Sequence, residues 1–426
     1  MSFLINPNDH LKAFAYLNNI EQSVVDTYLL EREMSITYSK NWRGLVTNDP
    51  PNVYRVTTLD PQGSGSIFDA LSYNGDETRH VVFDVAGTIT LPERWWFKSR
   101  NIVVHGNTSP GGICLTGGTM AFVDCENLTF RDVMWCLDVA PNKKMAVSWN
   151  PVKVLSDEKT CRNVTFDHCA ILGGDDENDF GPLNHQVLKT AVAADGVTVT
   201  NCIFGLGTRK WRKNHNFSLA VSYAKNVVID GNLFAHNNRR NPQVYSPRSE
   251  QDQGGVISNN IVYNYGSMGV GVLFGTWDIV NNKFIHGRNS KPKSRGGRGF
   301  PPIKTTKSFE DENDMSSLYL DGNTLTKRNG KLLGEDWDLY SHEDTSQLYT
   351  RTGPSPAVYR SHDEVLTSAG TCFQHDIERL LKKQSKTDQG TWVMTMEDVG
   401  GVPEIPFKEL IHIRRTAVYG PMKFIR

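Results

Sequence analysis

One strand-and-bend phrase recurs along the chain and constrains its fold more than any other feature. Two clear copies read NVTFDHCAI and NVVIDGNLF. The copies begin at Asn101, Asn163, Gly196, Asn226, Val256, Asp278 and Leu318. Each places β-branched and aromatic residues before a small polar pair that contains Asn, Asp or Gly, which is typical of a strand followed by a sharp bend.

One column of this repeat is rich in asparagine. Its members are Asn107, Cys169, Cys202, Asn232, Asn260, Asn282 and Asn323. Asparagine suits a bend because its short amide tolerates the left-handed backbone region and can hydrogen-bond the neighbouring backbone. Stacked at an inter-strand spacing of about 4.8 Å, these amides would form a ladder.

The intervals within the column select the fold class. From Cys169 onward successive members are 33, 30, 28, 22 and 41 residues apart, a spacing typical of a solenoid. The alternative is that asparagine marks the hairpins of an antiparallel sandwich, but hairpin partners follow within about 2–5 residues. We therefore predict an all-β chain, folded as a right-handed parallel β-helix solenoid.

The pattern divides the chain into three parts. Residues 8–35 have helical spacing, so we expect residues 1–50 to form an N-terminal helical cap over one end of the solenoid. The β-helix domain is predicted over 51–330. Residues 331–426 are predicted to be a C-terminal tail that packs on the solenoid, with a helix from His375 to Gln384.

Composition limits the partners. With 46 Lys and Arg against 47 Asp and Glu, no global field favours nucleic acid or a membrane surface, so an anionic partner needs a local basic patch. We see neither a secretory leader pattern nor an apolar span of about 20 residues. The expected location is extracellular or virion-associated.

The seven cysteines show no CxxC pair and no metal-ligand spacing. We interpret them as mostly buried, small apolar residues without a disulfide framework. They are Cys114, Cys125, Cys136, Cys161, Cys169, Cys202 and Cys372.

Several phrases, in this order, resemble the pectate lyase family. They are FDVAGTITL from Phe83, NIVVHGNTSPGGICLTG from Asn101, VTFDHCAI from Val164, NLFAHNNRRNPQV from Asn232 and WVMTMEDVGGVP from Trp392. The resemblance covers about Val53 to Pro403. It implies a polysaccharide lyase that cleaves 1,4-linked uronates by β-elimination, in which an arginine removes the proton alpha to the carboxylate. Because a second negative charge develops there, the site needs cations, either calcium held by Asp and Glu or Lys and Arg side chains.

The resemblance places the base at Arg240, which is followed by Asn241 and Pro242 as in the family's RxP phrase. An arginine can act as a base only where neighbouring cations and burial oppose its charge. A structural salt bridge is the alternative role for Arg240.

A basic phrase, TRKWRKNH, lies about one coil earlier. Its side chains, together with Arg239, are predicted to line a groove for an acidic polysaccharide, with Trp211 stacking on a sugar face. A solvated basic loop is the alternative. The residues concerned are Arg209, Lys210, Trp211, Arg212, Lys213 and His215.

The metal site is less clear. Matching the family's acidic phrase puts His185 and Lys189 where two calcium ligands are expected, so Lys189 would supply positive charge in place of the metal. We therefore assign Lys189 and Arg209 to catalysis beside Arg240, and His185 to substrate binding.

Calcium nevertheless has candidate ligands in the phrase GGDDENDF. Asp175, Asp176 and Glu177 are carboxylates of the type that calcium prefers, although these three and Asp179 make four acids together, which is also typical of a solvated turn. The Arg usual a few residues beyond the family's Pro is Tyr245 here, and we interpret Asp167 and His168 as scaffold residues.

Two other functions remain open at this point. A phage tailspike or capsule depolymerase would use the same solenoid as a homotrimer, whereas a lyase is expected to be a monomer. A non-catalytic glycan-binding protein is the third possibility, because a fold does not fix a function.

Overall fold

The computed structural model describes residues 52–91, 95–109, 113–118, 120–137, 152–156, 161–167, 169–173, 178–182, 194–200, 202–205, 218–235, 237–244, 254–287, 290, 302–305, 316–327, 331–342 and 348–350. The predicted N-terminal cap and the predicted helix from His375 to Gln384 lie outside these residues. One short α-helix, Ile67–Leu71, precedes the second strand, and Ser66 caps it by accepting a hydrogen bond from the Asp69 N–H at 3.2 Å. Within these ranges, two 3₁₀ helices span Gly106–Thr108 and Asp336–Leu339.

The described strands, numbered along the chain, form three long sheets. Sheet A has 11 strands: β1 Val53–Val56, β2 Arg79–Phe83, β5 Arg100–His105, β8 Glu126–Arg131, β11 Cys161–Asp167, β14 Ala194–Thr200, β17 Ala224–Asp230, β20 Gly254–Ser258, β23 Gly275–Val280, β26 Ser316–Asp321 and β30 Leu348–Thr350. Sheet B has 10 strands: β3 Gly87–Thr90, β6 Ile113–Thr116, β9 Met134–Leu137, β12 Ala170–Gly173, β15 Ile203–Gly205, β18 Leu233–Ala235, β21 Ile261–Tyr263, β24 Lys283–Ile285, β27 Thr324–Thr326 and β28 Leu332–Glu335. Sheet C has 9 strands: β4 Trp95–Phe97, β7 Met120–Val123, β10 Val152–Ser156, β13 Asn178–Pro182, β16 Leu219–Val221, β19 Gln243–Val244, β22 Val270–Val272, β25 Ile303–Thr305 and β29 Tyr340–His342.

The chain visits the three sheets in a repeating order. Each full coil contributes one strand to sheet A, then one to B, then one to C, and the next coil pairs with it in parallel, as β14 does with β17. Among the described strands only β27 and β28 pair antiparallel. Parallel strands joined by such crossovers wind right-handed, so the predicted right-handed parallel β-helix is confirmed.

Apolar side chains from all three sheets fill the inside of the coils. One continuous buried cluster extends from Val56 to Leu339. Because strands of successive coils are in register, like residues stack on like residues. The rings of Phe130 and Phe166 are 5.2 Å apart with planes 14° apart, and such stacks stabilise the core beyond their buried area.

The predicted asparagine ladder runs along the bend between sheets A and B. The backbone N–H of Asn260 donates to Oδ1 of Asn282 at 3.0 Å, and its Nδ2 donates to the same oxygen at 2.9 Å. Asn232 makes the equivalent pair of bonds to Asn260, and Asn282 makes it to Asn323. The ladder is therefore confirmed for these four residues.

The left-handed residue of the bend is not the ladder asparagine itself. It is the residue just before, as at Asn259 (φ 54°), Asn281 (φ 55°) and Gly322 (φ 68°). The ladder positions are selected for hydrogen bonding, whereas the preceding Asn and Gly residues are selected for backbone conformation. This corrects the expectation that one asparagine does both.

A second asparagine ladder lies at the start of the sheet A strands. Nδ2 of Asn127 donates to Oδ1 of Asn101 at 2.7 Å, and Nδ2 of Asn163 donates to Oδ1 of Asn127 at 2.9 Å. All three residues have φ between 51° and 54°. Two of them, Asn101 and Asn163, begin copies of the sequence repeat, so the repeat contains the pattern of this second ladder as well.

The described cysteines behave as predicted. Cys114, Cys125, Cys161, Cys169 and Cys202 are buried thiols that form no disulfide bond. Cys169 and Cys202 continue the bend column below the asparagines, with the Cys169 N–H 3.4 Å from the Cys202 sulfur and the Cys202 N–H 2.8 Å from Oδ1 of Asn232. Val133 occupies the column one coil before Cys169. Because its apolar side chain cannot accept a hydrogen bond, Val133 separates the two cysteines from Asn107 in the column.

The sheets continue past the expected domain end at residue 330. β29 pairs in parallel with β25, and β30 pairs with β26. At this end Leu332, Leu333 and Trp337 are exposed. No helix within the described ranges is long and apolar enough to cross a membrane.

Candidate functional site

The candidate base lies in the turn that joins sheet B to sheet C. Arg239 and Arg240 sit between β18 and β19, and both side chains are half-buried. Along the chain, the corresponding sheet B to sheet C connections of the neighbouring coils are residues 206–218 before this turn and 264–269 after it.

Arg240 has an unusual backbone conformation. Its φ is +61°, in the left-handed region that is disfavoured for side chains other than Gly, Asn and Asp. The flanking peptides are held by two different coils, because the Leu219 N–H donates to the Arg240 carbonyl at 3.1 Å and the Asn241 N–H donates to the Gly269 carbonyl at 2.9 Å. Strained residues that the surroundings hold in place are frequent at functional sites.

Buried amides reinforce this turn from inside. Nδ2 of Asn241 donates to the Met268 carbonyl at 3.2 Å, and Oδ1 of Asn241 accepts from Nδ2 of Asn237 at 3.2 Å. Nδ2 of Asn237 also donates to the Phe204 carbonyl at 3.1 Å. Phe204 is in the previous coil and Met268 in the next, so the two amides link three successive coils.

The next coil approaches the turn closely. The carbonyl of Asn238 accepts from the N–H groups of Gly266 at 2.9 Å and Ser267 at 2.7 Å. A Cβ at Gly266 would lie only 2.1 Å from Oδ1 of Asn238, so only glycine fits without a shift of the neighbour.

Most of the other predicted site residues lie outside the described residues, and their roles remain predictions. Chain connectivity nonetheless shows which turn each belongs to. The basic residues Arg209, Lys210, Trp211, Arg212, Lys213 and His215 lie between β15 and β16, on the sheet B to sheet C connection one coil before Arg240. Asp175, Asp176 and Glu177 lie between β12 and β13, on the same connection two coils before.

His185 and Lys189 belong to a different connection. They lie between β13 and β14, which join sheet C to sheet A, whereas Arg240 precedes its sheet C strand. Along the chain, His185 and Lys189 therefore come after a sheet C strand, whereas Arg240 comes before one.

Asp167 has the contacts expected of a scaffold residue. It ends β11 in sheet A, where Nε of Arg131 is 3.8 Å from its Oδ2 and the Thr200 hydroxyl donates to its Oδ1 at 3.0 Å. These bonds connect three neighbouring strands of sheet A, away from the sheet B to sheet C turns. His168 lies outside the described residues.

The part of the chain that the structure describes offers no group of three or more His, Cys, Asp or Glu that could hold a metal ion. The carboxylates predicted as calcium ligands precede β13 and are not among those residues. The described residues thus give no metal centre through which a reaction step could be derived.

The RNP phrase pointed to Arg240 in the sequence, but the residues that hold Arg240 in place were not predicted. Asn237 and Asn241 are 3% and 1% exposed, and both belong to the asparagine-rich phrase NNRRNP. Three asparagines within five residues, in a chain that uses asparagine for backbone hydrogen bonds elsewhere, was the available signal.

Fold and site together define a class: a parallel β-helix protein with an arginine held in strained conformation on one of its turns. No protein-family model matches the chain. Curated relatives narrow the class. The chain is 27% identical over 371 residues to proteins named probable pectate lyase C from Aspergillus flavus and Aspergillus oryzae, covering 83% of this chain and 77% of each relative. The protein of the same name from Emericella nidulans is 24% identical over 365 residues.

Solved structures of similar proteins were also found. The cedar pollen allergen Jun a 1 is 13% identical with a TM-score of 0.47, over 77% of this chain and 87% of that one. The thermostable pectate lyase PL 47 is 15% identical with a TM-score of 0.42, over 78% and 92%. From the curated relatives, the similarity of this chain to pectate lyases is confirmed.

Proposed function

We propose that this protein is a polysaccharide lyase that cleaves an acidic, uronate-containing polysaccharide such as pectate or pectin, with Arg240 as the base. The observation that carries the proposal is the similarity to probable pectate lyase C over 83% of the chain. The position of Arg240 supports it, because the arginine of the RNP phrase lies half-buried on a turn fixed by two neighbouring coils.

The reaction is an elimination. The base takes the proton on the carbon alpha to the uronate carboxylate, the pair of electrons from that C–H bond forms a double bond to the adjacent carbon, and the glycosidic oxygen leaves with the pair from its C–O bond. The leaving oxygen takes up a proton from solvent. Positive charge beside the carboxylate stabilises the carbanion-like transition state.

Cationic side chains are the proposed source of that charge. In the proposal Lys189 and Arg209 act with Arg240 in catalysis, while Lys210, Arg212 and Lys213 bind substrate carboxylates. Guanidinium groups bind carboxylates bidentately and so fix their orientation. The sheet B to sheet C connection of the basic phrase, one coil before Arg240, supports the roles of Arg209, Lys210, Arg212 and Lys213. The role of Lys189, which lies on a sheet C to sheet A connection, rests on the family resemblance alone.

The remaining substrate contacts are proposed on the same grounds. Arg239, beside the base, contacts a second carboxylate, Trp211 stacks on a sugar ring, and His185 and His215 donate hydrogen bonds to the glycan. If Ca²⁺ is required, Asp175, Asp176 and Glu177 are the proposed ligands, since carboxylate oxygens suit it.

The proposal includes action outside the cell by a monomeric enzyme. Light scattering of the purified protein tests the monomer directly. A trimer would instead agree with a capsule-degrading fibre.

Ultraviolet absorbance of the unsaturated product tests the activity. The protein is incubated with polygalacturonate, methylated pectin and other polyuronates, with calcium and with a chelator. We expect absorbance to rise with at least one of them, and loss of that rise in chelator would establish the calcium requirement. No product from any acidic glycan under either condition would overturn the proposal.

The variant Arg240→Ala tests whether Arg240 is the base. It should abolish turnover and leave the circular dichroism spectrum unchanged. Arg131→Ala is the matched control, because Arg131 is a half-exposed arginine on sheet A, bound to Asp167, and its loss should leave turnover unaltered. Turnover that survives Arg240→Ala would exclude Arg240 as the base.

A further inference from the structure

The turn that carries Arg240 is held by two buried amides whose role differs from that of the ladder asparagines. Nδ2 of Asn237 reaches back to the Phe204 carbonyl, and Nδ2 of Asn241 reaches forward to the Met268 carbonyl. The bond from Asn237 Nδ2 to Asn241 Oδ1 joins them. Between these anchors lie only three residues, and two of them are Arg239 and Arg240.

The geometry points to Asn237 and Asn241 as positioning residues that hold Arg240 in its left-handed conformation and so aim its side chain at the substrate. This inference rests on the proposed function. It adds Asn237, which lies outside the RxP phrase, to the machinery of the same site, and it gives a role to Asn241, the middle residue of that phrase.

The left-handed conformation of Arg240 is energetically unfavourable. A residue with a long side chain leaves the left-handed region unless its surroundings oppose the change. The Asn241 backbone N–H is tied to the Gly269 carbonyl, and its side chain is tied to Met268, one residue earlier in the same coil. With both its main chain and its side chain bound, the residue after Arg240 cannot rotate to relieve the strain.

Asn237 closes the other end of the turn. Its carbonyl accepts from the Gly266 N–H at 3.2 Å, while its Nδ2 binds Phe204 and Asn241. The two amides are almost wholly buried, so water cannot replace the lost partners when one is removed. Truncation at either position would free the turn on one side, and the Arg240 side chain would move with it.

The ladder provides a matched control within the same molecule. Asn260 is also 1% exposed and also binds carbonyl and amide groups of neighbouring coils, through Ile229 and Asn282. It lies on the bend between sheets A and B, however, and not on the turn of Arg240. Removing its amide should therefore lower stability without displacing the base.

The experiment compares Asn241→Ala, Asn237→Ala and Asn260→Ala in the full chain, with urea unfolding and steady-state kinetics on the polyuronate that the wild type cleaves. We expect both turn variants to lower kcat by about a hundredfold, the loss expected for misplacing a catalytic group by about 1 Å, with KM within about twofold. Asn260→Ala should keep kcat while its unfolding midpoint falls at least as far. Unchanged kcat in both turn variants, or an equal fall in all three, would overturn the inference.

A structural readout separates this inference from the proposed function. In a crystal structure of Asn241→Ala, φ of Arg240 should leave the left-handed region, and in Asn260→Ala it should stay near +61°. If Asn241→Ala does not fold, Asn241→Ser, which keeps one hydroxyl toward Met268, takes its place in both measurements. An inactive wild type would refute the proposed function, whereas an unmoved Arg240 in the variant would refute the positioning role whether or not the enzyme turns over.

Discussion

Oδ1 of Asp336 accepts both the backbone N–H of Asn323, at 2.8 Å, and its side-chain Nδ2, at 3.0 Å. Asn323 is the last member of the asparagine ladder, so a carboxylate provides the acceptor that the next asparagine of the column would have provided. Oδ2 of Asp336 accepts the N–H of Gly322 at 3.2 Å. The ladder therefore ends on an acceptor and leaves none of these donors unpaired.

Asp336→Ala should lower the free energy of unfolding by about 1–3 kcal/mol, the cost of leaving buried donors unsatisfied. Urea unfolding followed by circular dichroism measures it. The control is Asp338→Ala, two residues on, at an exposed position, where we expect a change within about 0.5 kcal/mol. Equal effects of the two substitutions would show that Asp336 contributes only surface charge.

A second prediction concerns the other end of the ladder. The sulfur of Cys202 is a weak partner, 3.4 Å from the Cys169 N–H and 3.5 Å from the Phe166 carbonyl. At the same place in the next coil Nδ2 of Asn232 binds the Val199 carbonyl at 2.8 Å. Because Phe166 and Val199 are in register, an asparagine at 202 would find the same set of partners.

Cys202→Asn should therefore extend the ladder and raise the free energy of unfolding by about 1 kcal/mol, the net contribution of one buried hydrogen bond. Chemical denaturation of the two proteins side by side is the measurement. Cys202→Ala serves as the comparison, since it removes the acceptor and should destabilise by about 1–3 kcal/mol. A loss of stability in Cys202→Asn would show that the coil cannot accept the larger side chain.

A third prediction follows from a histidine pair near the first coils, in which His105 is buried and His80 is half-buried. Nδ1 of His80 is 3.1 Å from Nε2 of His105, and the rings stack. Burial, with smaller contributions from His80 and Arg131, lowers the pKa of His105 to about 4. The folded state thus disfavours the protonated form that the unfolded chain adopts below about pH 6.5.

The free energy of unfolding therefore decreases as the solution becomes acidic. Above pH 6.5 both states hold neutral His105 and the full stability is present. As the pH falls from 6.5 toward 4 only the unfolded state takes up the proton, so His105 costs about 2 kcal/mol of stability by pH 5. Replacement by a side chain that does not titrate, His105→Gln, should reduce the stability difference between pH 7 and pH 5 by that amount, as measured by urea unfolding at both pH values. A difference that persists undiminished would assign the acid sensitivity to other groups.

How far the sequence predicts this protein depends on whether a feature repeats. The fold was predictable because Asn232, Asn260 and Asn282 recur at one position of each coil. When coils stack in register, residues at the same position of the repeat become neighbours in space. The second ladder through Asn101 and Asn127 recurs as well and was within reach of the same reasoning. The role of Asp336 could not be predicted in this way. Asp336 caps the ladder only because β28 pairs antiparallel with β27, and a reversal that occurs once leaves no periodic pattern in the sequence.

The candidate site shows the same division. The RNP phrase identified Arg240 by resemblance. The hydrogen bonds that fix its turn run to the backbone carbonyls of Phe204 and Met268, and a sequence does not show which backbone carbonyls accept such bonds. The glycine of the next coil was equally hidden. Gly266 is needed because another coil passes within contact distance, a fact that depends on the register between coils.

That glycine gives the last prediction, which again rests on the proposed function. A Cβ at Gly266 would lie 2.1 Å from Oδ1 of Asn238, and one at Gly287 would lie 2.3 Å from Oδ1 of Asn264, the same kind of contact one coil farther from Arg240. Gly266→Ala and Gly287→Ala should each cost about 1–3 kcal/mol of stability through overpacking. Only Gly266→Ala pushes against the turn that carries Arg240, so it alone should lower kcat, by about tenfold or more, in the absorbance assay on the preferred polyuronate. Equal kcat values in the two variants would mean that the turn absorbs the displacement before it reaches the base.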